Sequence, residues 1–211
     1  MAVSSDNKMI EPSFRLAARC LKFVPVLAIV FSCVPAGSSN LFAQMQSTRE
    51  YEIKAGFLYN FAKFVEWPAI AFSDPKQPVC VCIYGRDPFG HSLEGALLGK
   101  SIVGRPVILG HALQFEDLSG CQIVFVGGSE HTPVTDLAGR LRGRAVLLVG
   151  ESEGFAASGG AIQFTIEDSR VRFIINPDAA DRAGLKISSK LLALARIVHD
   201  SERSISGSAL K

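Results

Sequence analysis

No apolar stretch in these 211 residues reaches the length that a membrane-spanning helix needs. The longest, residues 23–34, falls short of about 20 residues and is interrupted by Pro25. Charge of one sign is equally scarce: 22 basic residues face 20 acidic ones, for a net of +2. That balance leaves no electrostatic footprint for nucleic acid or for an anionic lipid surface. There is no C-x-x-C pair, no cysteine follows Cys121, and the four histidines (His91, His111, His131 and His199) are scattered. The usual zinc ligand sets are therefore missing. Tryptophan occurs once, so any aromatic surface must draw mainly on the 14 phenylalanines.

What is present begins with a targeting pattern. Lys8, Arg15, Arg19 and Lys22 precede the apolar run, and small and polar residues lead from it to Leu41, Phe42 and Ala43. A basic region, a short apolar region and a small residue near the end make a cleavable secretory signal. A retained anchor would need a longer run, and a lipoprotein signal on Cys33 expects a smaller residue than Phe31 two places before it. The expected organisation is a signal peptide over residues 1–43, with cleavage near Ala43, and one domain over 44–211 with its core at about 51–198. Export follows. Without the signal, which holds four basic and two acidic residues, the charge count is 18 against 18. Partners should then be proteins or small molecules.

Hydrophobic content of 48% is ample for a core, and the apolar periodicity divides the domain into alternating elements. Ile53, Phe57, Phe61 and Phe64 recur at helical spacing, which predicts an opening helix over 49–65 that Trp67-Pro68 ends. Strands are predicted at 79–84, 106–109, 122–126 and 145–149, with helices at 88–98 and 134–141 between them. Such alternation builds a mainly parallel sheet covered on both faces. Residues 162–166 and 171–175, joined by a polar turn, predict an appended antiparallel hairpin. Asn176 then caps a final helix with Pro177 at its first position and Leu185, Leu191, Leu192, Leu194, Ala195 and Val198 on its apolar side. The fold class is α/β, one domain, with a C-terminal hairpin and helix.

The segment most like a catalytic motif is Gly150-Glu151-Ser152-Glu153-Gly154, a G-x-S-x-G directly after a buried strand, followed in the chain by Asp168, Asp178 and His199. A secreted serine hydrolase using Ser152 is the enzymatic alternative. Against it, Ser158-Gly159-Gly160 breaks any helix behind the serine, and Glu151 and Glu153 oppose negative charge at an oxyanion. The strand-end glycines Gly127-Gly128 could offer N–H groups to an anion but lack the lysine and spacing of a phosphate loop. Cys80 and Cys82 share one strand face and with Cys121 could form a thiolate cluster; one disulfide and one leftover thiol accounts for the same three residues without a metal. No catalytic residue, metal or cofactor is expected. Phe57, Tyr59, Phe61, Phe64 and Trp67 are more aromatics than one buried face needs, so some are candidates for contact with a partner or with a second copy in a homodimer.

Several blocks taken together resemble one family. The opening helix from Ile53 through Phe57-Leu58-Tyr59-Asn60-Phe61 to Trp67-Pro68 closely resembles the start of the YfiR-like family of periplasmic proteins. So do Tyr84-Gly85-Arg86-Asp87-Pro88-Phe89-Gly90, Gly104-Arg105-Pro106-Val107, and Ile174-Ile175-Asn176-Pro177-Asp178 continuing to Leu191-Leu192. The resemblance implies a regulator: a periplasmic repressor that binds the periplasmic part of an inner-membrane diguanylate cyclase and so controls cyclic di-GMP and biofilm formation. A periplasmic small-ligand sensor is a further reading compatible with it. The resemblance also implies a disulfide between Cys82 and Cys121, leaving Cys80 as an extra thiol. The family's repressor has a second disulfide in its later half; this chain has no cysteine there, a departure that weakens the carry-over of a redox-sensing role.

Overall fold

The computed structural model describes residues 38–200, with side chains from residue 45 onward. The chain divides into two units, Met1–Ala43 and Gln44–Lys211, and the second carries the fold described below. The basic and apolar parts of the expected signal, including Cys20 and Cys33, lie outside the described residues.

α1 (Ser38–Phe64) leads into β1 (Val65–Glu66), and β2 (Val79–Tyr84), α2 (His91–Leu97), β3 (Ser101–Ile102) and β4 (Arg105–Ala112) follow. β5 (Ile123–Val126), α3 (Val134–Arg140) and β6 (Leu147–Gly150) come next, then the hairpin of β7 (Ile162–Glu167) and β8 (Arg170–Ile175). α4 (Pro177–Arg182), β9 (Lys186–Ile187), α5 (Ser189–Leu192) and β10 (Arg196–Ile197) complete the described chain. Eight strands form one sheet in the order β10-β8-β7-β6-β5-β2-β4-β3, while β1 and β9 make a separate two-stranded ladder. From β4 through β2, β5 and β6 to β7 every pairing is parallel. The antiparallel pairings of the main sheet are β7 with β8 and β4 with β3.

Strand periodicity sorts the core into two layers. Val79, Val81 and Ile83 of β2, Ile123 and Phe125 of β5, and Leu147 and Val149 of β6 face Leu58, Phe61 and Ala62 of α1 and Leu93 and Leu97 of α2. The alternate residues Cys82, Tyr84, Val124, Val126 and Leu148 face Leu137 of α3, Leu118 and Phe155. Both faces are covered, which is why β5 and β6 are buried and apolar along their whole length.

The mainly parallel sheet and the C-terminal hairpin match the sequence-based expectation; several element boundaries and the closing segment differ. α1 begins at Ser38 rather than near 49, since no glycine or proline interrupts the residues between. α2 begins at His91 because Asp87 first makes a tight turn, its carboxylate accepting from the Phe89 N–H at 2.7 Å. The β3–β4 hairpin was not expected; Val103 and Gly104, both at positive φ, turn it. The single closing helix is corrected most. Asn176 does cap α4, accepting from the Ala179 N–H at 3.1 Å, with Pro177 in the first turn. Gly184, at φ 70°, then ends it. Leu185 drops into the core, β9 pairs with β1, and Ser188 caps the separate α5. β10 returns to pair with β8, and Leu194, expected on an apolar face, is 71% exposed.

Candidate functional site

The five aromatics of the opening segment do not form one surface. Phe61 is fully buried. Its ring stacks on Phe164 at 5.5 Å and meets Phe173 edge-on at 5.2 Å, so it fills core and is withdrawn from the expected contact set. Phe57 is half-buried, edge-on to Phe173 at 5.3 Å. Tyr59, Phe64 and Trp67 are also half-buried. Tyr59 donates to the Ser101 carbonyl at 3.4 Å, with the Lys63 and Lys100 ammonium groups over its ring at 5.6 and 5.7 Å. The Trp67 indole N–H donates to the Ala62 carbonyl at 3.3 Å and thereby holds the ring against the end of α1. Beyond it, the 3₁₀ turn Ala69–Ala71 exposes Ile70 at 82%.

The opposite half of α1 carries a polar clamp that sequence reasoning missed. Lys54 is 3% exposed and pairs with Glu151 at 2.5 Å and with Glu50 at 2.5 Å. The Tyr51 hydroxyl donates to Glu151 Oε1 at 3.0 Å, and the Gly128 N–H donates to the same oxygen at 2.8 Å. The signal lies in the periodicity: Tyr51, Lys54, Leu58, Phe61 and Val65 follow helical spacing, which places Lys54 in the buried stripe. Burial, and then the Glu151 carboxylate, push the Tyr51 phenol far above its ordinary range. Stability carried by the protonated phenol is complete below about pH 10 and is lost as pH rises beyond it. Urea unfolding of the protein and of Tyr51→Phe at about pH 9 to 11 should show the steeper loss in the parent; parallel losses would remove this role from Tyr51.

The clamp closes the place where open α/β sheets usually take ligands. β2 is followed on one side by β4 and on the other by β5, so the strand order reverses at the carboxyl ends of β2 and β5. There, Phe89 packs edge-on against both Tyr51 and Phe125, at 5.3 and 4.7 Å. The Gly127-Gly128 turn does hold an anion, the chain's own Glu151 carboxylate.

The G-x-S-x-G segment has a packing role. A Cβ on Gly150 or on Gly160 would collide with the ring of Phe155, which is itself fully buried. The two glycines thus accept Phe155 between them and fold the connection between β6 and β7 back on itself. Gly150→Ala should cost about 2 to 3 kcal/mol by forced displacement of that ring, measured by urea unfolding, whereas Ser152→Ala should stay within about 0.5 kcal/mol. The acid and histidine of the hydrolase reading stand elsewhere. His199 Nδ1 lies 3.0 Å from Asp178 at the start of α4, and β8 delivers that corner to the end of the sheet where β6 and β7 begin. Ser152 follows the other end of β6, and Asp168 turns the β7–β8 hairpin.

The cysteines fall where β2 meets the start of β5. Cys82 and Cys121 are joined by a disulfide across 39 residues, and Cys80 is a free thiol, half-buried. Residues 113–121, with their 3₁₀ turn Phe115–Leu118, are thereby tied to β2. Arg144 adds a bond to the Leu118 carbonyl at 2.5 Å.

These residues build a disulfide-stapled α/β domain whose ligand crevice is filled by its own side chains. The chain belongs to the YfiR/HmsC-like family, whose model matches residues 51–196. The match takes in Tyr51, Lys54, Gly128 and Glu151 of the clamp, the aromatic end of α1, all three described cysteines and the Asn176 cap.

Proposed function

We propose that this chain is a periplasmic regulator of cyclic di-GMP signalling that binds the periplasmic part of an inner-membrane diguanylate cyclase and holds it down. Family membership over residues 51–196 carries the reading. The electrostatic balance supports it, because a neutral domain suits a protein partner better than a polyanion. The contact surface in this reading is the carboxyl end of α1, where Tyr59, Phe64 and Trp67 keep exposed edges beside the apolar Ile70. Half-buried aromatics anchored on a rigid helix bring contact area at little conformational cost. The chain works as a binding protein, without catalysis, and reaches the periplasm by its N-terminal signal, which is then removed.

The test is cellular cyclic di-GMP in a deletion strain complemented with the full chain or with a version lacking residues 2–43. A rise on deletion that only the full chain reverses supports both the repressor role and export. An unchanged level in every strain would remove the cyclase link.

A small-ligand sensor is favoured by one observation. A shallow groove of about 410 Å³ lies beside α3 and α4, with Leu141, Val146, Leu148 and Ala161 among its apolar lining and Arg142 and Arg182 among its polar lining. A ligand seated there would bridge α3 to α4.

A further inference from the structure

Cys80 stands in a cluster of sulfur atoms rather than alone. Its Sγ lies 3.4 Å from that of Cys82, and the sulfurs of Cys80, Cys82 and Cys121 all fall within 4.8 Å of one another. Positions 80 and 82 project from the same face of β2. Gly110 of β4 is in register with Cys82, and a Cβ there would sit 3.0 Å from the Cys82 sulfur and 3.1 Å from the Cys80 sulfur. A glycine at 110 therefore leaves room for both sulfurs. The backbone holds Cys80 beside the strand that follows Cys121. Its N–H donates to Gln122 Oε1 at 2.8 Å, and its carbonyl accepts from the Gln122 N–H at 3.0 Å.

We propose that Cys80 is an exchange thiol that displaces Cys82 from Cys121, so that the disulfide to Cys121 migrates between positions 82 and 80 of β2. The Cys80 thiolate attacks Cys121 Sγ, the Cys80–Cys121 bond forms as the Cys82–Cys121 bond breaks, and the electron pair leaves on Cys82 Sγ. Cys82 takes up from solvent a proton equal to the one Cys80 gave, and no oxidant or reductant is consumed. Attack on Cys82 instead would join positions i and i+2 of one strand. Their Cα atoms lie about 6.7 Å apart, at the far end of the range a disulfide tolerates, and such a bond would tie no second segment. The two useful isomers close loops that differ by two residues, so they restrain the unfolded chain almost equally. The staple between β2 and the start of β5 thus survives modification or loss of either β2 cysteine. Burial raises the Cys80 thiol, which keeps thiolate scarce and exchange slow at neutral pH. None of this depends on the regulatory reading.

The experiment is disulfide mapping of the purified oxidised protein after incubation at about pH 9, where thiolate is more plentiful, with no added oxidant. The sample is quenched in acid, alkylated and digested, and fragmentation between positions 80 and 82 assigns each linkage. Cys80–Cys121 and Cys82–Cys121 should both be found, each with the alkyl group on the other β2 cysteine. Cys82–Cys121 as the sole linkage after prolonged incubation would overturn the proposal. A second arm uses Cys82→Ser. It should retain a disulfide to Cys121 and a melting temperature that falls on adding dithiothreitol, whereas Cys80→Ala/Cys82→Ser should show no response. Two free thiols in a folded Cys82→Ser would overturn it equally.

Discussion

Cys121→Ser lowers stability by about 4 kcal/mol, the value expected from the loop entropy released when a staple across 39 residues is removed. The loss is large because the disulfide is the covalent tie of that segment to β2, beside the bond from Arg144 to the Leu118 carbonyl and the exposed pair of Arg140 with Glu116. Residues 113–121 leave the sheet after β4, make one 3₁₀ turn and enter β5. Only Leu118 and Cys121 of that segment are buried. Its capping bonds, from the N–H groups of Leu113 and Gln114 to the Asp117 carboxylate, are local and exposed. The two other cysteines among the described residues cannot compensate, since both lie on β2. Equilibrium urea unfolding checks the figure. Cys82→Ser should lose much less than Cys121→Ser, because Cys80 can take over. Equal losses in the two variants would mean that position 80 cannot reach Cys121.

The central sheet was legible because its residues obey one rule along their length. Val79 to Tyr84 and Ile123 to Val126 are apolar on both faces, which only a doubly covered parallel strand tolerates. Short edge elements followed other causes. β1, β9 and β10 are two residues each, too short to show a period, and they pair because tertiary packing brings them together. The break after α4 could have been read from Gly184, which has the position of a helix C-cap; the apolar spacing of the leucines beyond it concealed the break. At the candidate site, aromatic content was visible in the sequence but its division was not. Phe57 and Phe61 share a helical stripe and both meet Phe164 and Phe173 of the appended hairpin, yet only Phe61 of the two is fully buried. Contacts with a separation of about a hundred residues leave no local trace, and the bond from Tyr51 to Glu151 is one of these.

That long-range clamp supports the second large effect: Lys54→Ala should cost about 3 to 5 kcal/mol. Lys54 Nζ sits between two carboxylates, Glu50 and Glu151, at 2.5 Å from each, and the side chains of Lys54 and Glu151 are 4% and 11% exposed. Removing the ammonium leaves Glu151 among apolar neighbours with only Tyr51 and the Gly128 N–H to oppose its charge. It also removes an alkyl stem in a position ringed by Tyr51 and Phe164, whose centroids lie 4.5 and 5.9 Å from Nζ. Charge and packing can be separated. Lys54→Met keeps most of the stem, and Lys54→Met/Glu151→Gln removes both charges of the pair, so the double variant should recover much of what either single variant loses. Simple additivity of the two single losses would show that Lys54 and Glu151 act independently and that the clamp is not what fastens α1 over the carboxyl ends of β5 and β6. Strong coupling would make this pair the fastening of α1 to the sheet. Any partner that grips the far end of the helix then acts on an element whose position is fixed at Lys54.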